Sequence, residues 1–280
     1  MATTELQVGY STCPNDTFIF YPLVTDAVPC EGIRWQPLLE DVESLNRRAC
    51  VAELPVTKIS FHAFGHVRQD YVLLKSGAAL GRGCGPLLIA KSTDVLDRLE
   101  TARIAIPGEL TSAALLLRLY APHLRPEQLV EMTFDRIFSR LLAGDVDAGL
   151  IIHESRFTYQ DQNLVSLVDL GEWWEERSGL PIPLGGIIAQ RSLGEATLER
   201  IDEALRQSVL YAQAHPGFCS DYIRTHAQEL SEAVTRAHID LYVNHFTVDL
   251  GADGRRAVEE LMRTAEENGI LPAFDGSYIR

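Results

Sequence analysis

The sequence is poor in the features that mark secreted, membrane-spanning and zinc-binding proteins. Its 280 residues include five cysteines, an odd number, with no C-x-x-C pair and no zinc-like Cys/His spacing. No apolar run reaches the ~18 residues that a membrane span requires. The opening stretch, MATTELQVGYSTCPND, lacks the basic and apolar regions of a signal peptide. We therefore expect a cytoplasmic protein with reduced thiols, no membrane partner and no metal site.

The charge balance also excludes one class of partner. The chain has 39 acidic and 25 basic residues, which gives a formal net charge of -14. This excess argues against nucleic acid and anionic membranes, although a small anionic ligand responds only to local charge. The sequence has no G-x-x-x-x-G-K-[ST] loop and no H-E-x-x-H motif, so we expect no nucleotide, metal or other cofactor.

The order of predicted strands and helices indicates an α/β protein with two lobes. Strands alternate with helices over residues 1–90 and again over 100–190, and the chain is almost wholly helical from about residue 194. Residues 86–91 and 181–190 read as strands that link the two blocks. The pattern predicts a two-lobed, periplasmic-binding-protein-like (type II) fold with mostly parallel sheets and an inter-lobe cleft. We assign 1–91 and 191–280 to the first lobe and 92–190 to the second.

One histidine terminates a predicted buried strand of the second lobe. His153 follows the run DAGLII, at the strand end where such folds place their ligands. Imidazole titrates near neutral pH, so His153 is a candidate general base. Strand alternation predicts that Glu154 points away from it. The alternative is a histidine that is only hydrogen-bonded at a strand end.

A helix start in the second lobe is a candidate carboxylate site. Thr111 or Ser112 is the predicted N-cap of a helix over 110–120. Free backbone N–H groups and the helix dipole favour an anion there, and the two hydroxyls would add donors. The alternative is simple N-capping, which needs only one of the two residues.

Polar residues also end two predicted strands of the first lobe. Ser11, Asn15 and Asp16 follow the first strand in a Pro-containing turn and could line the cleft. Asn and Asp favour turns in any case, so turn chemistry is the alternative. Lys58 and Ser60 end the strand 55–60 with a spacing that lets both face the cleft. Lys58 could hold an anion there, or it could be an ordinary strand-edge lysine.

Six segments, in order, resemble one enzyme family. They read GYSTCPNDTFIF, LEDVESLNRRA, VTKISFHAFGH, SGAALGRGCGPLL, GLIIHESRFTYQ and DLGEWWEERSGLPIPLGGI. Together they closely resemble the 1,4-dihydroxy-6-naphthoate synthases of the futalosine route to menaquinone. The resemblance covers residues 8 to about 190. The helical C-terminal region also resembles the family, but its motifs are weaker.

The resemblance implies a fold, a reaction and a set of site residues. It implies the two-lobed solute-binding-like fold and a lyase that converts cyclic dehypoxanthinylfutalosine to 1,4-dihydroxy-6-naphthoate, releasing a sugar-derived fragment. The family's proposed base falls on His153. The family's substrate contacts fall on Lys58, Ile59, Ser60, Thr111 and Ser112. The resemblance also implies that the substrate is a small carboxylate.

Three alternatives remain open at this point. Chorismate dehydratase has the same fold in the same pathway, but that family lacks this histidine at the corresponding strand end, so His153 favours the synthase. A non-catalytic protein that binds a small carboxylate would have the same fold. A cofactor-dependent enzyme would need motifs that the sequence does not show. The sequence leaves open whether the protein is a monomer or a homodimer.

Overall fold

The computed structural model describes residues 3–227 and 231–280, in which the strands form two β-sheets. The strands are β1 (Thr4–Tyr10), β2 (Ile33–Leu39), β3 (Val56–Ser60), β4 (Tyr71–Leu73), β5 (Ala79–Gly81), β6 (Leu87–Ala90), β7 (Ile104–Ile106), β8 (Leu129–Glu131), β9 (Ala148–Ile151), β10 (Val165–Asp169) and β11 (Ile182–Gln190).

Twelve α-helices are present in the same part of the chain. They are α1 (Pro14–Val24), α2 (Val42–Cys50), α3 (Phe61–Val67), α4 (Ser112–Tyr120), α5 (Ile137–Ala143), α6 (Ser155–Thr158), α7 (Leu170–Ser178), α8 (Glu195–Ala214), α9 (Pro216–His226), α10 (Glu232–Tyr242), α11 (His245–Val248) and α12 (Gly251–Glu267). None of the described helices is both long and apolar enough to cross a membrane.

The first sheet has the order β2-β1-β3-β11-β4, and β5 also pairs with β11. The second sheet has the order β10-β6-β9-β7-β8. This mixed α/β architecture with two sheets confirms the predicted fold class. The chain passes to the second sheet between β5 and β6, and it returns between β10 and β11.

The linking strands lie in the opposite sheets from those we assigned. β6 was placed in the first lobe but pairs with β9 and β10 of the second sheet. β11 was placed in the second lobe but pairs with β3, β4 and β5 of the first. The boundaries expected at 91/92 and 190/191 therefore differ from the crossings, which occupy residues 82–86 and 170–181. Hydrophobic periodicity shows that a strand exists but does not show its partner.

The sheets are mixed rather than mostly parallel, which corrects the prediction. β1 runs parallel to β2 and β3, and β7 runs parallel to β8 and β9. β6 and β11 pair antiparallel with all their neighbours. Each of these strands arrives directly from the other lobe and so enters its sheet in the reverse direction.

The two crossings touch each other through their backbones. Gly85 lies in the first crossing, and Gly171 lies near the start of the second. A Cβ placed on Gly85 would lie 2.3 Å from the Cα of Gly171. Only residues without side chains allow this approach, which fixes how the lobes meet.

The C-terminal helices pack on the first lobe. α8, α9 and α10 contact α1, and α12 contacts β11. Apolar residues of α8 and α9, including Leu205 and Ile223, share a buried cluster with Val8 and Tyr10 of β1. This packing also brings α10 to the edge of the cleft between the lobes.

Candidate active site

A cleft between the two sheets contains all nine predicted site residues. It encloses about 690 Å³ of space between atoms, including its open mouth. The nine residues on its wall are Ser11, Asn15, Asp16, Lys58, Ile59, Ser60, Thr111, Ser112 and His153. They come from segments that follow or end β1, β3, β7 and β9, because polar groups at strand ends converge on one edge of each sheet.

His153 lies in the loop between β9 and α6, and its ring is half-buried. Its φ of 58° is in the left-handed region, which a non-glycine residue adopts only when its surroundings hold it there. The Nδ1 atom lies 3.4 Å from the Sγ of Cys13, and the ring packs edge-on against Phe134. Burial lowers the pKa of His153, while the nearby carboxylate of Glu154 opposes that shift. The imidazole is therefore held in one orientation and is neutral at neutral pH.

Glu154 lies beside His153 rather than pointing away from it. β9 ends at Ile151, so strand alternation does not extend to residue 154 and that prediction is wrong. The Glu154 carboxylate, the Cys13 sulfur and a ring nitrogen of His153 lie within 4.8 Å of one another. Glu154 is 6% exposed, and no hydrogen-bond donor among the described residues reaches either of its oxygens. The site therefore holds a buried carboxylate without a direct partner.

A second histidine enters the cleft from α10. His238 is fully buried, and its ring stacks on that of His153 with centroids 6.2 Å apart. Its Nε2 lies 2.9 Å from the Oδ1 of Asn15, and its Nδ1 lies 3.6 Å from the Oε2 of Glu154. Burial, and then the neighbouring His153, lowers the pKa of His238 to about 3. His238 is therefore a neutral imidazole.

Lys58 and Asp16 form a buried ion pair. The Lys58 ammonium donates to the Asp16 carboxylate at 3.0 Å and to the Gly77 carbonyl at 2.8 Å. Asp16 also accepts from the Ser11 hydroxyl and the Asn15 amide. The predicted anion-holding role of Lys58 is weakened, because Asp16 already compensates its charge. Turn chemistry accounts for much of what Ser11, Asn15 and Asp16 do here.

Thr111 is the N-cap of α4, and its hydroxyl accepts from the Ala114 N–H. That hydroxyl donates its own hydrogen to the Gly108 carbonyl, and the Ser112 hydroxyl donates to the Leu184 carbonyl. The expectation that two hydroxyls add donors for a ligand is therefore wrong. The donors left at this helix start are the backbone N–H groups of Ser112 and Ala113, which have no partner within the helix.

Ser60 ends β3 with its Oγ accepting from the Asn46 amide. Its hydroxyl hydrogen has no acceptor among the described residues, so it can be offered to a ligand in the cleft. Ile59 is almost fully buried and pairs with Gly186 of β11. Ile59 therefore contributes apolar packing and its backbone groups to the cleft wall, and no polar side chain.

Sequence reasoning missed four residues of this site: Cys13, Glu154, His238 and Tyr242. Cys13 and Glu154 each adjoin or nearly adjoin a residue that was identified, so proximity in sequence could have suggested them. His238 and Tyr242 lie four apart on α10, which is the spacing of one helix face. No local signal shows that this face reaches the cleft.

The comparisons with known proteins decide the family. A sequence profile described as menaquinone biosynthesis matches residues 6–267. The chain belongs to this menaquinone-biosynthesis family. It is 53% identical over 265 residues to a 1,4-dihydroxy-6-naphthoate synthase of Thermus thermophilus, covering 95% of each chain. It is 45% identical to the synthase of Streptomyces coelicolor, covering 98% of this chain and 97% of that one. These matches confirm the predicted resemblance. The two relatives of this chain are named as synthases, which are enzymes.

Solved structures agree on the fold. A protein from Archaeoglobus fulgidus superposes with a TM-score of 0.89 at 35% identity, covering 95% of this chain and 98% of that one. The alkanesulfonate-binding protein of Xanthomonas axonopodis superposes with a TM-score of 0.69 at 14% identity, covering 98% and 96%. The second likeness shows the periplasmic-binding-protein fold and no more.

Proposed function

We propose that this member of the family is a carbon–carbon lyase that converts cyclic dehypoxanthinylfutalosine to 1,4-dihydroxy-6-naphthoate, with His153 as the general base. The observation that carries the proposal is the placement of His153 on the wall of the inter-lobe cleft, which the α4 start also lines. The two relatives named as synthases support the reaction, since each aligns over nearly its whole length.

The contacts of His153 support its role as base. A neutral imidazole carries one N–H, and if Nδ1–H donates to the Cys13 sulfur, Nε2 keeps its lone pair for the substrate. When Nε2 takes a proton, the ring becomes cationic beside the Glu154 carboxylate. That carboxylate stabilises the imidazolium and with it the transition state. The electron pair left on the substrate expels the sugar-derived fragment, and the gain of an aromatic ring favours cleavage.

The α4 start supports a place for the substrate carboxylate. The backbone N–H groups of Ser112 and Ala113 and the positive end of the helix favour an anion there. The Ser60 hydroxyl, at the end of β3, offers one more donor in the same cleft. With the carboxylate fixed at one end, the reacting carbon of a rigid substrate is placed relative to His153.

The expected location, partners, cofactors and oligomeric state are part of the same proposal. The protein would act in the cytoplasm on a small carboxylate, without nucleic acid, membrane or a redox cofactor. Monomer and homodimer both fit a cleft that forms within one chain.

Incubation of the purified protein with cyclic dehypoxanthinylfutalosine tests the proposal directly. Chromatography with mass detection should show 1,4-dihydroxy-6-naphthoate appearing over many turnovers. Binding without product would favour a carboxylate-binding protein. Conversion of chorismate in a parallel reaction, with no conversion of the futalosine derivative, would favour a dehydratase.

A further inference from the structure

Hydrogen-bond directions can be assigned along a chain of buried groups from Lys58 to His238. The ammonium of Lys58 can only donate, so Asp16 accepts from it as a carboxylate. The Asn15 Nδ2 must then be the atom that donates to Asp16, which leaves its Oδ1 as an acceptor facing His238. His238 therefore carries its proton on Nε2.

This assignment leaves two buried acceptors facing each other. A neutral His238 with its proton on Nε2 presents a lone pair at Nδ1, and that atom lies 3.6 Å from Oε2 of Glu154. Neither the Nδ1 nor the two Glu154 oxygens receives a hydrogen bond from the described residues. Burial of an unpaired carboxylate is costly, so a positive charge placed here would be stabilised strongly.

The nearby charges do not supply that positive charge. Lys58 acts electrostatically on Cys13 and His153, but Asp16 already compensates its charge at 3.0 Å. Arg156 is directed to Asp169 and to the Gly85 carbonyl. Both of these cations are therefore already paired with other carboxylates.

Glu154 and two of its neighbours carry groups that bind metal ions. A thiol, an imidazole nitrogen and a carboxylate, from Cys13, His153 and Glu154, lie within 4.8 Å of one another. In tetrahedral zinc sites, bonds of about 2.0–2.3 Å place neighbouring ligand atoms roughly 3.5 Å apart. The 3.4 Å between Cys13 and His153 matches that spacing, and a Glu154 oxygen lies within 4.8 Å of both ligand atoms. Sulfur and imidazole select zinc-like ions over magnesium or calcium.

We propose that Cys13, His153 and Glu154 bind one divalent transition-metal ion of the zinc class, and that the bound ion inhibits the enzyme. Binding releases the Cys13 thiol proton to solvent, so that a thiolate and a carboxylate balance the two charges of the ion. The metal binds Nδ1 of His153, so the single ring proton moves from Nδ1 to Nε2. His153 then has no lone pair with which to accept a substrate proton. The inhibition rests on the proposed function, whereas metal binding does not.

Cobalt(II) is the probe for this site, because thiolate coordination gives it a charge-transfer absorption and tetrahedral geometry gives it visible bands. Chelator-treated protein should develop both on addition of one equivalent of cobalt, and zinc but not magnesium should remove them. Cys13→Ser should abolish the thiolate band and weaken binding at least ~10-fold. Cys50→Ser is the matched control, because Cys50 is exposed and does not line the cleft, and it should behave as the wild type.

Two further measurements keep the test independent of folding and of turnover. Glu154→Gln, checked by circular dichroism, should keep the thiolate band but require at least ~10-fold more cobalt to reach it. Zinc should suppress product formation with the same one-ion stoichiometry. A wild-type protein without the thiolate band, or a Cys13→Ser variant with undiminished affinity, would overturn the proposal. If the wild-type protein shows the cobalt–thiolate band but forms no 1,4-dihydroxy-6-naphthoate, the metal site is supported and the proposed function is refuted.

Discussion

The Nδ1 of His153 lies 3.4 Å from the Sγ of Cys13, although 140 residues separate them in sequence. Cys13 immediately precedes α1 in the first lobe, and His153 follows β9 in the second. The contact therefore spans the cleft, and the orientation of the proposed base depends on how the two lobes meet. Mutations that shift the lobes should change turnover without touching the site.

Replacement of Gly85 should damage the protein through the lobe crossings. In Gly85→Ala, the new Cβ would meet the Cα and N of Gly171 at 2.3 and 2.4 Å, and backbone atoms cannot rotate away. We expect a loss of about 1–3 kcal/mol in the free energy of unfolding, measured by chemical denaturation. Gly217→Ala is the matched control, since no atom beyond its chain neighbours and its own helix backbone lies within 4 Å of its Cβ position, and it should be nearly neutral. Equal stabilities of the two variants would contradict the tight crossing.

Removal of one partner from the Lys58–Asp16 pair should destabilise the folded protein more than removal of both partners. Asp16→Asn leaves a buried ammonium without its carboxylate, which typically costs ~3–5 kcal/mol. Lys58→Met in the same chain removes that charge and should restore part of the stability. Denaturation of the two single variants and the double variant measures the coupling. Strictly additive losses would show that the pair does not act as a unit.

Glu43 should make stability depend on pH. Burial raises the pKa of Glu43 in the folded protein to about 7, despite hydrogen bonds from Asn46 and Leu110. The unfolded carboxyl titrates near ~4.3, so between these values the folded state binds more protons. The contribution of Glu43 to stability is therefore present at low pH, falls as pH rises through this window, and levels off above about 7.

Comparison with Glu43→Gln isolates this effect, because glutamine keeps the shape and does not titrate. The difference in thermal midpoint between the variant and the wild type should move in favour of glutamine as pH rises from about 5 to about 8. Parallel pH profiles for the two proteins would be inconsistent with the raised pKa.

The sequence allowed the cleft to be predicted better than the contacts inside it. Thr111, Lys58 and His153 each stand at a helix start or a strand end, positions that local patterns identify. Those patterns also place them on one edge of each sheet, and the structure brings them together. Their hydrogen-bond partners follow from tertiary packing, so the pairing of Lys58 with Asp16 could not be read from spacing.

Sequence patterns could not predict that α10 contributes residues to the cleft. His238 and Tyr242 read as an ordinary apolar face of a C-terminal helix, and only the packing of α10 against α1 brings them to the cleft. The linking strands were misassigned for a related reason. β6 and β11 have the composition of buried strands, but their sheets are set by pairing partners far away in the chain.

The turnover number of His153→Ala with cyclic dehypoxanthinylfutalosine tests the central claim most directly. General-base catalysis is typically worth ~100–10,000-fold, so we expect kcat to fall at least ~100-fold while 1,4-dihydroxy-6-naphthoate still binds. His123→Ala, which removes an exposed histidine outside the cleft, should turn over as the wild type does. Near-normal turnover by His153→Ala would contradict the assignment of His153 as the base.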